Sequence, residues 1–254
     1  MAINKAKIFT VTSVKGGAGK TTTTLNLAGI FSTMKKRVLI MDLDLYGSAV
    51  AASLNISNEV DLYKLISDLN NNRFRNIDNY IVKYNDFIDV LPAPKDPRYA
   101  NKINSKYLSV VLAKTSIKYD VILIDTNHIL DEMNLVVLDN SDMILYVVTN
   151  DPIDLKNMKT MVSIFKDMDK DNYKIILNES KDKLRSHFSK YDIKNIVKDN
   201  IDYTIPSDFY IKNIDKYILD GQILTLDKKI NLTRRKAIRN FNLIANALLK
   251  SDKK

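Results

Sequence analysis

The chain has 254 residues, of which 45% are hydrophobic, so it is long enough to bury the core of one large α/β domain. It contains no cysteine, which excludes disulfides, thiolate zinc sites and iron–sulfur clusters and favours a reducing compartment such as the cytoplasm. The formal net charge is +9, and most of the basic excess lies in residues 180–254, which hold 17 basic and 9 acidic residues.

Apolar runs alternate with helical patterns along the chain. A first strand is predicted at residues 7–12, followed by a glycine-rich turn and a helix at 21–34. Further buried strands are predicted at 37–41, 87–91, 121–124, 143–148 and 173–177. Nearly continuous apolar strands separated by helices are typical of a parallel sheet covered on both faces. We therefore expect one α/β domain over residues 1–254, with ligands bound at the carboxyl ends of the strands.

The glycine-rich turn has the sequence KGGAGKT at residues 15–21, and three of the six glycines fall within four positions there. Glycine lets the backbone N–H groups turn inward, and the N-terminus of the next helix adds positive potential for a phosphate. Lys20 would reach the β- and γ-phosphates, and the Thr21 hydroxyl would ligate Mg²⁺. Val14 replaces the usual first glycine of the pattern. A plain connecting turn is the alternative, but the spacing favours a three-layer P-loop NTPase fold.

Carboxylates follow two of the predicted strands. Asp42 and Asp44 come directly after residues 37–41, and Asp125 ends the VILID run. All three should reach the ligand-binding edge of the sheet, where hard Mg²⁺ prefers oxygen ligands. Strand-end aspartates also form turns, but beside a P-loop they are predicted to serve the nucleotide site.

Residues 15–22, KGGAGKTT, resemble the deviant Walker A motif of the ParA/MinD family of ATPases. The resemblance implies an ATP-hydrolysing enzyme that requires ATP and Mg²⁺ and forms a nucleotide-sandwich homodimer in the ATP state. In such a dimer Lys15 reaches the phosphates of the partner subunit, as an arginine finger does. The positions implied to bind ATP are Gly16, Gly17, Ala18, Gly19, Lys20, Thr21 and Thr22.

The same resemblance implies roles for the other polar residues of the site. Lys15, Lys20 and Asp44 would be catalytic, with Asp44 orienting the attacking water. Thr21, Asp42 and Asp125 would hold the metal. Asn178, Pro206 and Asp208 resemble the base-contacting positions, since an amide and a carboxylate complement the edge of adenine. The alternatives are a strand-end turn for Asn178 and a helix cap for Asp208.

Four segments, residues 42–56, 89–97, 125–132 and 150–157, resemble the CpaE/TadZ-type branch of the family. That branch implies an ATP-driven dimerisation switch that positions pilus or secretion machinery at a cell pole through a protein partner. The alternative is a ParA-type partition ATPase that binds DNA nonspecifically on the nucleoid. A metabolic P-loop enzyme or metal-cluster carrier is disfavoured by Lys15 and by the lack of cysteine. Asn127 stands where the family usually has proline, which leaves the shape of that loop open.

A basic amphipathic helix is predicted from Asn231 onward. Its apolar residues are Ala237, Phe241, Ile244 and Leu248, and they are expected to pack against the sheet rather than insert into a membrane. Its cations are Arg234, Arg235, Lys236 and Arg239. Three cations in the first turn oppose the helix dipole at about 0.3 to 1 kcal/mol each, so an anionic partner such as DNA or an acidic surface is expected. A solvated helix face is the alternative, and contact with a membrane would be at most peripheral.

Overall fold

The computed structural model describes residues 5–57, 59–180 and 188–250. The strands of its sheet are β1 (Lys7–Thr12), β2 (Val38–Leu43), β3 (Val82–Lys83), β4 (Ile88–Leu91), β5 (Val121–Thr126), β6 (Met143–Thr149), β7 (Tyr173–Asn178) and β8 (Tyr203–Ile205). Their order is β3-β4-β2-β5-β1-β6-β7-β8, and every neighbouring pair is parallel except β3 with β4. The predicted α/β fold with a mostly parallel sheet is confirmed.

Helices cover both faces of the sheet. They are α1 (Lys20–Thr33), α2 (Ala49–Ser53), α3 (Leu62–Asn70), α4 (Leu108–Ser116), α5 (Glu132–Asp139), α6 (Pro152–Asp167), α7 (Lys190–Val197), α8 (Ile214–Leu219), α9 (Lys228–Thr233) and α10 (Arg235–Lys250). Strand residues alternate between the faces: Ile40 packs in the core with α1 and α10, whereas Met41 packs with α3 and α4. A third cluster joins β6 and β7 to α6 and α7. The result is the predicted three-layer arrangement.

The register of the central strands positions the site. β1 lies between β5 and β6, and the glycine-rich loop follows its carboxyl end. On the other side of β5, Asp42 of β2 is directly opposite Asp125. Asn178 at the end of β7 is opposite Thr149 of β6. The polar residues predicted from strand ends therefore share one edge of the sheet, as parallel pairing requires.

The C-terminal helix begins later than the sequence predicts. Residues 228–233 form the separate helix α9, capped by Asp227, whose side chain accepts from Ile230 N. Arg234 N donates to Ile230 O and ends α9, and α10 begins at Arg235. The prediction that Arg234 lies in the first turn of one continuous helix is therefore wrong, because the cap at Asp227 starts a helical turn of its own.

The apolar stripe of α10 is buried as predicted. Phe241 and Ile244 are fully buried, and the Phe209 and Phe241 rings meet edge to face with centroids 5.1 Å apart. At the other end of the helix Lys7 Nζ donates to Leu249 O, so α10 runs back along β1 and its first turn points toward the carboxyl edge of the sheet. Within residues 5–57, 59–180 and 188–250, no helix combines the length and apolarity needed to cross a bilayer.

Candidate nucleotide-binding site

The loop after β1 has the backbone conformation that a phosphate cradle needs. Gly17 and Gly19 have φ values of 74° and 103°, in the left-handed region that favours glycine. A Cβ added to Gly19 would lie 2.4 Å from Asn178 Nδ2, so a larger residue would displace that amide in addition to straining the backbone. Lys20 is buried, and its Nζ donates to Ser13 Oγ at 3.2 Å. The first N–H groups of α1 and the Lys20 ammonium therefore meet at one place suited to a phosphate.

Two buried carboxylates stand beside this cradle. Asp125 accepts hydrogen bonds from Thr21 Oγ1 at 2.6 Å and from Thr24 Oγ1 at 3.0 Å. Asp42 accepts from the backbone N–H groups of Asp44 and Val50 at 3.0 and 3.2 Å. Both carboxyl groups are fully buried. The Asp125 side chain is therefore tied to α1, and the Asp42 side chain is tied to the turn and the helix that follow β2.

The electrostatics of these carboxylates fit a cation. Burial raises the pKa of Asp125 to about 6, against the opposing effect of the two threonine hydrogen bonds. Burial, and next the charge of Asp125, hold the pKa of Asp42 well above its usual range. The described residues contain no group of three or more acidic or histidine side chains that would enclose a metal. Thr21 with one or two carboxylates is the partial ligand set that Mg²⁺ normally completes with water and substrate phosphates.

Asp44 lies in a tight turn beyond the buried pair. Its Oδ1 accepts from Gly47 N at 3.2 Å, and a Cβ on Gly47 would come within 2.7 Å of Asp44 Oδ2. Ser48 follows with a left-handed φ of 44°, which is uncommon for a residue with a side chain. The Asp44 carboxylate is partly exposed at the ligand edge, whereas Asp42 is enclosed. Asp42 and Asp44 thus differ in exposure, which is compatible with the expectation that one holds the metal and the other orients the attacking water.

Lys15 is paired with a residue that the sequence did not single out for it. Its Nζ lies 3.1 Å from Asp151 Oδ1, with the two side chains 41% and 37% exposed. Asp151 also caps α6, accepting from Ile153 N and Asp154 N. The backbone hydrogen bond from Asp154, followed by the bond from Lys15, lowers the pKa of Asp151. The sequence Asp151-Pro152 is a pattern that predicts the start of a helix. It does not predict the ion pair with Lys15, because the two residues lie far apart in the sequence.

Asn127 shapes the loop after β5 without the usual proline. Its Oδ1 accepts from Ile129 N and from Asn134 Nδ2, both at 2.8 Å, and Asn134 Nδ2 also donates to Ile129 O at 2.6 Å. The His128 ring lies about 3.6 Å from the position a Cβ on Gly16 would take. This loop is therefore a hydrogen-bonded turn that packs against the glycine-rich loop.

The residues predicted to contact the base lie on the opposite side of the loop from Asp42. Asn178 Nδ2 donates to Ala18 O at 2.9 Å, and its Oδ1 accepts from Ser180, so the amide braces the glycine-rich loop and forms a strand-end turn. Pro206 precedes a short turn at residues 207–209, so Asp208 lies inside that turn and does not cap it. Asp208 Oδ1 is buried and has no hydrogen-bond partner among the described residues. Base contact by Asn178 and Asp208 stays a prediction.

Thr22 and the four basic residues predicted near the start of the C-terminal helix differ in how exposed they are to solvent. Thr22 is half-buried on the first turn of α1, next to Thr21. Arg235, Lys236 and Arg239 are exposed on α10. Arg234 is half-buried, and its Nε is enclosed without a hydrogen-bond partner in the part of the chain that is described. The exposed basic cluster therefore consists of three residues rather than four.

This site defines the class of the protein. A buried lysine and inward N–H groups at a strand–loop–helix junction, with a hydroxyl bonded to a strand-end aspartate, are the arrangement of P-loop nucleotide-binding proteins. Residues 6–178 match the family model described as an AAA domain, and the chain belongs to that family. Its relatives and the solved structures that share its fold include ParA- and MinD-type proteins, to which the chain is similar.

The similarity is broad in structure and partial in sequence. A ParA family ATPase from Chlorobium tepidum TLS superposes with a TM-score of 0.79 at 20% identity, covering 94% of this chain and 98% of that one. MinD in the MinC:MinD complex of Aquifex aeolicus gives 0.73 at 26% identity, covering 97% of each. An uncharacterized protein of Pseudomonas putida is 30% identical over 174 residues, and this match spans 63% of each chain. The chromosome-partitioning ATPase Soj of Thermus thermophilus is 40% identical over 62 residues, 24% of each chain.

Proposed function

We propose that the chain is an ATP-driven dimerisation switch, in which ATP closes a homodimer and hydrolysis opens it. The observation that carries this proposal is the position of Lys15. It lies at the start of the glycine-rich loop, yet its ammonium lies 3.1 Å from Asp151 Oδ1 and its side chain is 41% exposed. Lys20 already occupies the buried phosphate position, so Lys15 is a second cation available to another subunit.

The exchange of Lys15 between partners is energetically inexpensive. A solvent-exposed ion pair contributes about 0.2–1 kcal/mol, so leaving Asp151 costs little. The phosphates of a nucleotide bound to the partner subunit offer several negative charges in a site from which water is excluded, where the interaction is stronger. ATP would therefore move the Lys15 ammonium from Asp151 of its own chain to the phosphates bound by the partner subunit. ADP would favour its return to Asp151.

The remaining side chains of the site would take part in binding the nucleotide or in its hydrolysis. The P-loop N–H groups and Lys20 stabilise charge on the phosphates, and Thr21, Asp42 and Asp125 would hold Mg²⁺, which when bound neutralises phosphate charge. Asp44, partly exposed beyond the buried pair, would accept the proton of the attacking water or orient it. Asp208, with its unpartnered oxygen, would accept from the amino group of adenine.

For the biological role, we propose spatial positioning of a pilus or secretion assembly, as in the CpaE/TadZ branch, through a protein partner that recognises the closed dimer. The support is the resemblance of residues 42–56, 89–97, 125–132 and 150–157 to that branch. A fluorescent fusion in the native cell should form a polar focus. A pattern spread over the nucleoid would contradict this role and leave the switch mechanism standing.

The switch is tested by the mass of the protein in solution. Light scattering after gel filtration should give the monomer in Mg·ADP and twice that mass in Mg·ATP. A Lys20→Ala variant serves as the control, because it removes the buried phosphate contact and should stay monomeric in both. A wild-type protein that binds Mg·ATP and remains monomeric would contradict the proposal.

A second candidate function, DNA partition, is favoured by the exposed cluster Arg235, Lys236 and Arg239 on α10. Charge reversal of these three residues to glutamate should weaken retention of nonspecific duplex DNA in Mg·ATP and flatten the decline of affinity with salt. The matched control reverses Lys156, Lys159 and Lys194, which are also exposed. Equal retention by both triple variants would remove the cluster from DNA binding.

A further inference from the structure

Residues 94–107, here called the basic strap, form an exposed cationic segment that no role assigned above uses. Its cations are Lys95, Arg98, Lys102 and Lys106, and its one acidic residue is Asp96. Arg98 is occupied, because its Nε and Nη2 donate to the Asp96 carboxylate at 2.6–3.0 Å. The three lysines are exposed and form no ion pair with any residue in 5–57, 59–180 or 188–250. With four cations and one carboxylate, the basic strap carries a net charge of +3.

The basic strap is bonded to the turn that carries Asp44. Ser48 Oγ donates to Pro94 O at 2.8 Å, and Tyr46 OH donates to Asn101 Oδ1 at 2.7 Å. Tyr46 and Ser48 belong to the turn closed by Ser48 N donating to Asp44 O. These two hydrogen bonds are the contacts through which a change in the Asp44 turn would act on the strap.

The other end of the basic strap is bonded to the segment that follows Asp125. Ser105 Oγ donates to Glu132 Oε1 at 2.6 Å, and Ser105 is buried. Glu132 is the first residue of α5, directly after the loop shaped by Asn127. The strap thus connects the turn that carries Asp44 to the start of α5, and it carries its lysines between them.

We propose that the basic strap is a docking surface for an acidic segment of a partner protein, and that the nucleotide state of the site controls its affinity. The proposal rests on the proposed switch and names the chemistry of the partner that reads it. Complementary charge attracts the segment, and the two bonds from Tyr46 and Ser48 make the arrangement of Lys95 and Lys102 depend on the Asp44 turn.

Two observations favour an acidic protein segment over nucleic acid. The Tyr99 ring is stacked on Tyr63 with centroids 4.4 Å apart, and the Lys102 ammonium lies 4.8 Å from the Tyr99 centroid, so the Tyr99 ring is already occupied and is not available to stack on a base. The cavity beside this ring pair is also lined by Glu59 and Asp61. A long phosphate backbone would meet those carboxylates, whereas a short acidic segment can be confined to the three lysines.

The experiment measures the anisotropy of a fluorescein-labelled oligoglutamate peptide with the full chain in Mg·ATP, in Mg·ADP and without nucleotide. The Lys95/Lys102/Lys106→Gln variant should bind roughly tenfold more weakly, as expected for three exposed ion pairs. The Lys156/Lys159/Lys194→Gln control should bind like the wild type. The wild type should show at least about a fivefold difference between Mg·ATP and Mg·ADP, the lower range of typical coupling.

A second variant tests the control by nucleotide. Tyr46→Phe with Ser48→Ala removes both bonds between the Asp44 turn and the strap, and it should bind oligoglutamate equally in Mg·ATP and Mg·ADP. Unchanged affinity in the triple lysine variant overturns the docking surface. If the triple lysine variant loses binding to duplex DNA but keeps binding to oligoglutamate, the assignment of an acidic protein segment as the partner is overturned.

The same samples separate this inference from the switch itself, since mass and Mg·ATP binding are measured on each. If the wild type stays monomeric in Mg·ATP but binds oligoglutamate through the three lysines, the docking surface is supported and the switch is overturned. Control by nucleotide is then decided by the affinities in Mg·ATP and Mg·ADP alone. If it dimerises but the lysines have no effect, the switch stands and the strap has no such role.

Discussion

The Asp44→Ala variant is expected to hydrolyse ATP at least about 100-fold more slowly than the wild type and to accumulate as a dimer in Mg·ATP. Asp44 is the partly exposed carboxylate of the site, whereas Asp42 and Asp125 are fully buried and accept hydrogen bonds from α2 and α1 respectively. Its loss removes the group that orients the attacking water and leaves the phosphate contacts of Lys20 and the glycine loop in place. Binding and dimerisation should therefore survive while hydrolysis does not.

Asp44→Asn distinguishes chemistry from loop structure. Asn keeps an oxygen that can accept from Gly47 N, the bond that Asp44 Oδ1 makes at 3.2 Å, but it carries no charge. Both variants should show the same slow single-turnover hydrolysis and the same dimer mass by light scattering. Fast hydrolysis by Asp44→Asn alone would mean that the residue only shapes its turn, and wild-type rates in both variants would remove it from catalysis.

Local sequence patterns were sufficient for the fold and for the centre of the site. The six predicted strands are all present, because each is a buried apolar run, and the carboxyl ends of parallel strands bring Asp42 and Asp125 together. β3 and β8 were not predicted, since strands of two and three residues are too short to show a period. The start of α10 was misplaced because the apolar spacing does not reveal where one helix ends and the next begins.

The tertiary contacts around the site were not predictable in the same way. Lys15 with Asp151, Asn127 with Asn134, and Ser48 with Pro94 O join segments whose proximity only the folded chain determines. Asn127 shows the limit most clearly. As a replacement for proline it suggested an altered loop, yet two hydrogen bonds from its neighbours give the loop a defined turn. Residue type predicts the chemistry available, and tertiary contacts decide how it is used.

Lys15→Ala and Asp151→Asn are expected to shift the ATP-dependent dimer in opposite directions. Lys15→Ala should bind Mg·ATP through Lys20 but weaken dimerisation at least about 30-fold, because truncating one partner of a desolvated charge pair costs roughly 2–5 kcal/mol. Asp151→Asn should strengthen dimerisation by up to about fivefold, since it releases Lys15 from an exposed pair of at most about 1 kcal/mol. Asn is chosen because it is as good an N-cap as Asp, so α6 keeps its start.

The measurement is the dimer dissociation constant in Mg·ATP by sedimentation, with Mg·ATP affinity and thermal stability recorded for each variant. The matched control for Lys15→Ala is Lys159→Ala, which removes an exposed lysine of α6. It should leave the dissociation constant unchanged. If Asp151→Asn weakens the dimer as Lys15→Ala does, Asp151 supports the closed state instead of competing with it. The ion pair at 3.1 Å would then persist on dimerisation, and Lys15 would not be the group that crosses between subunits.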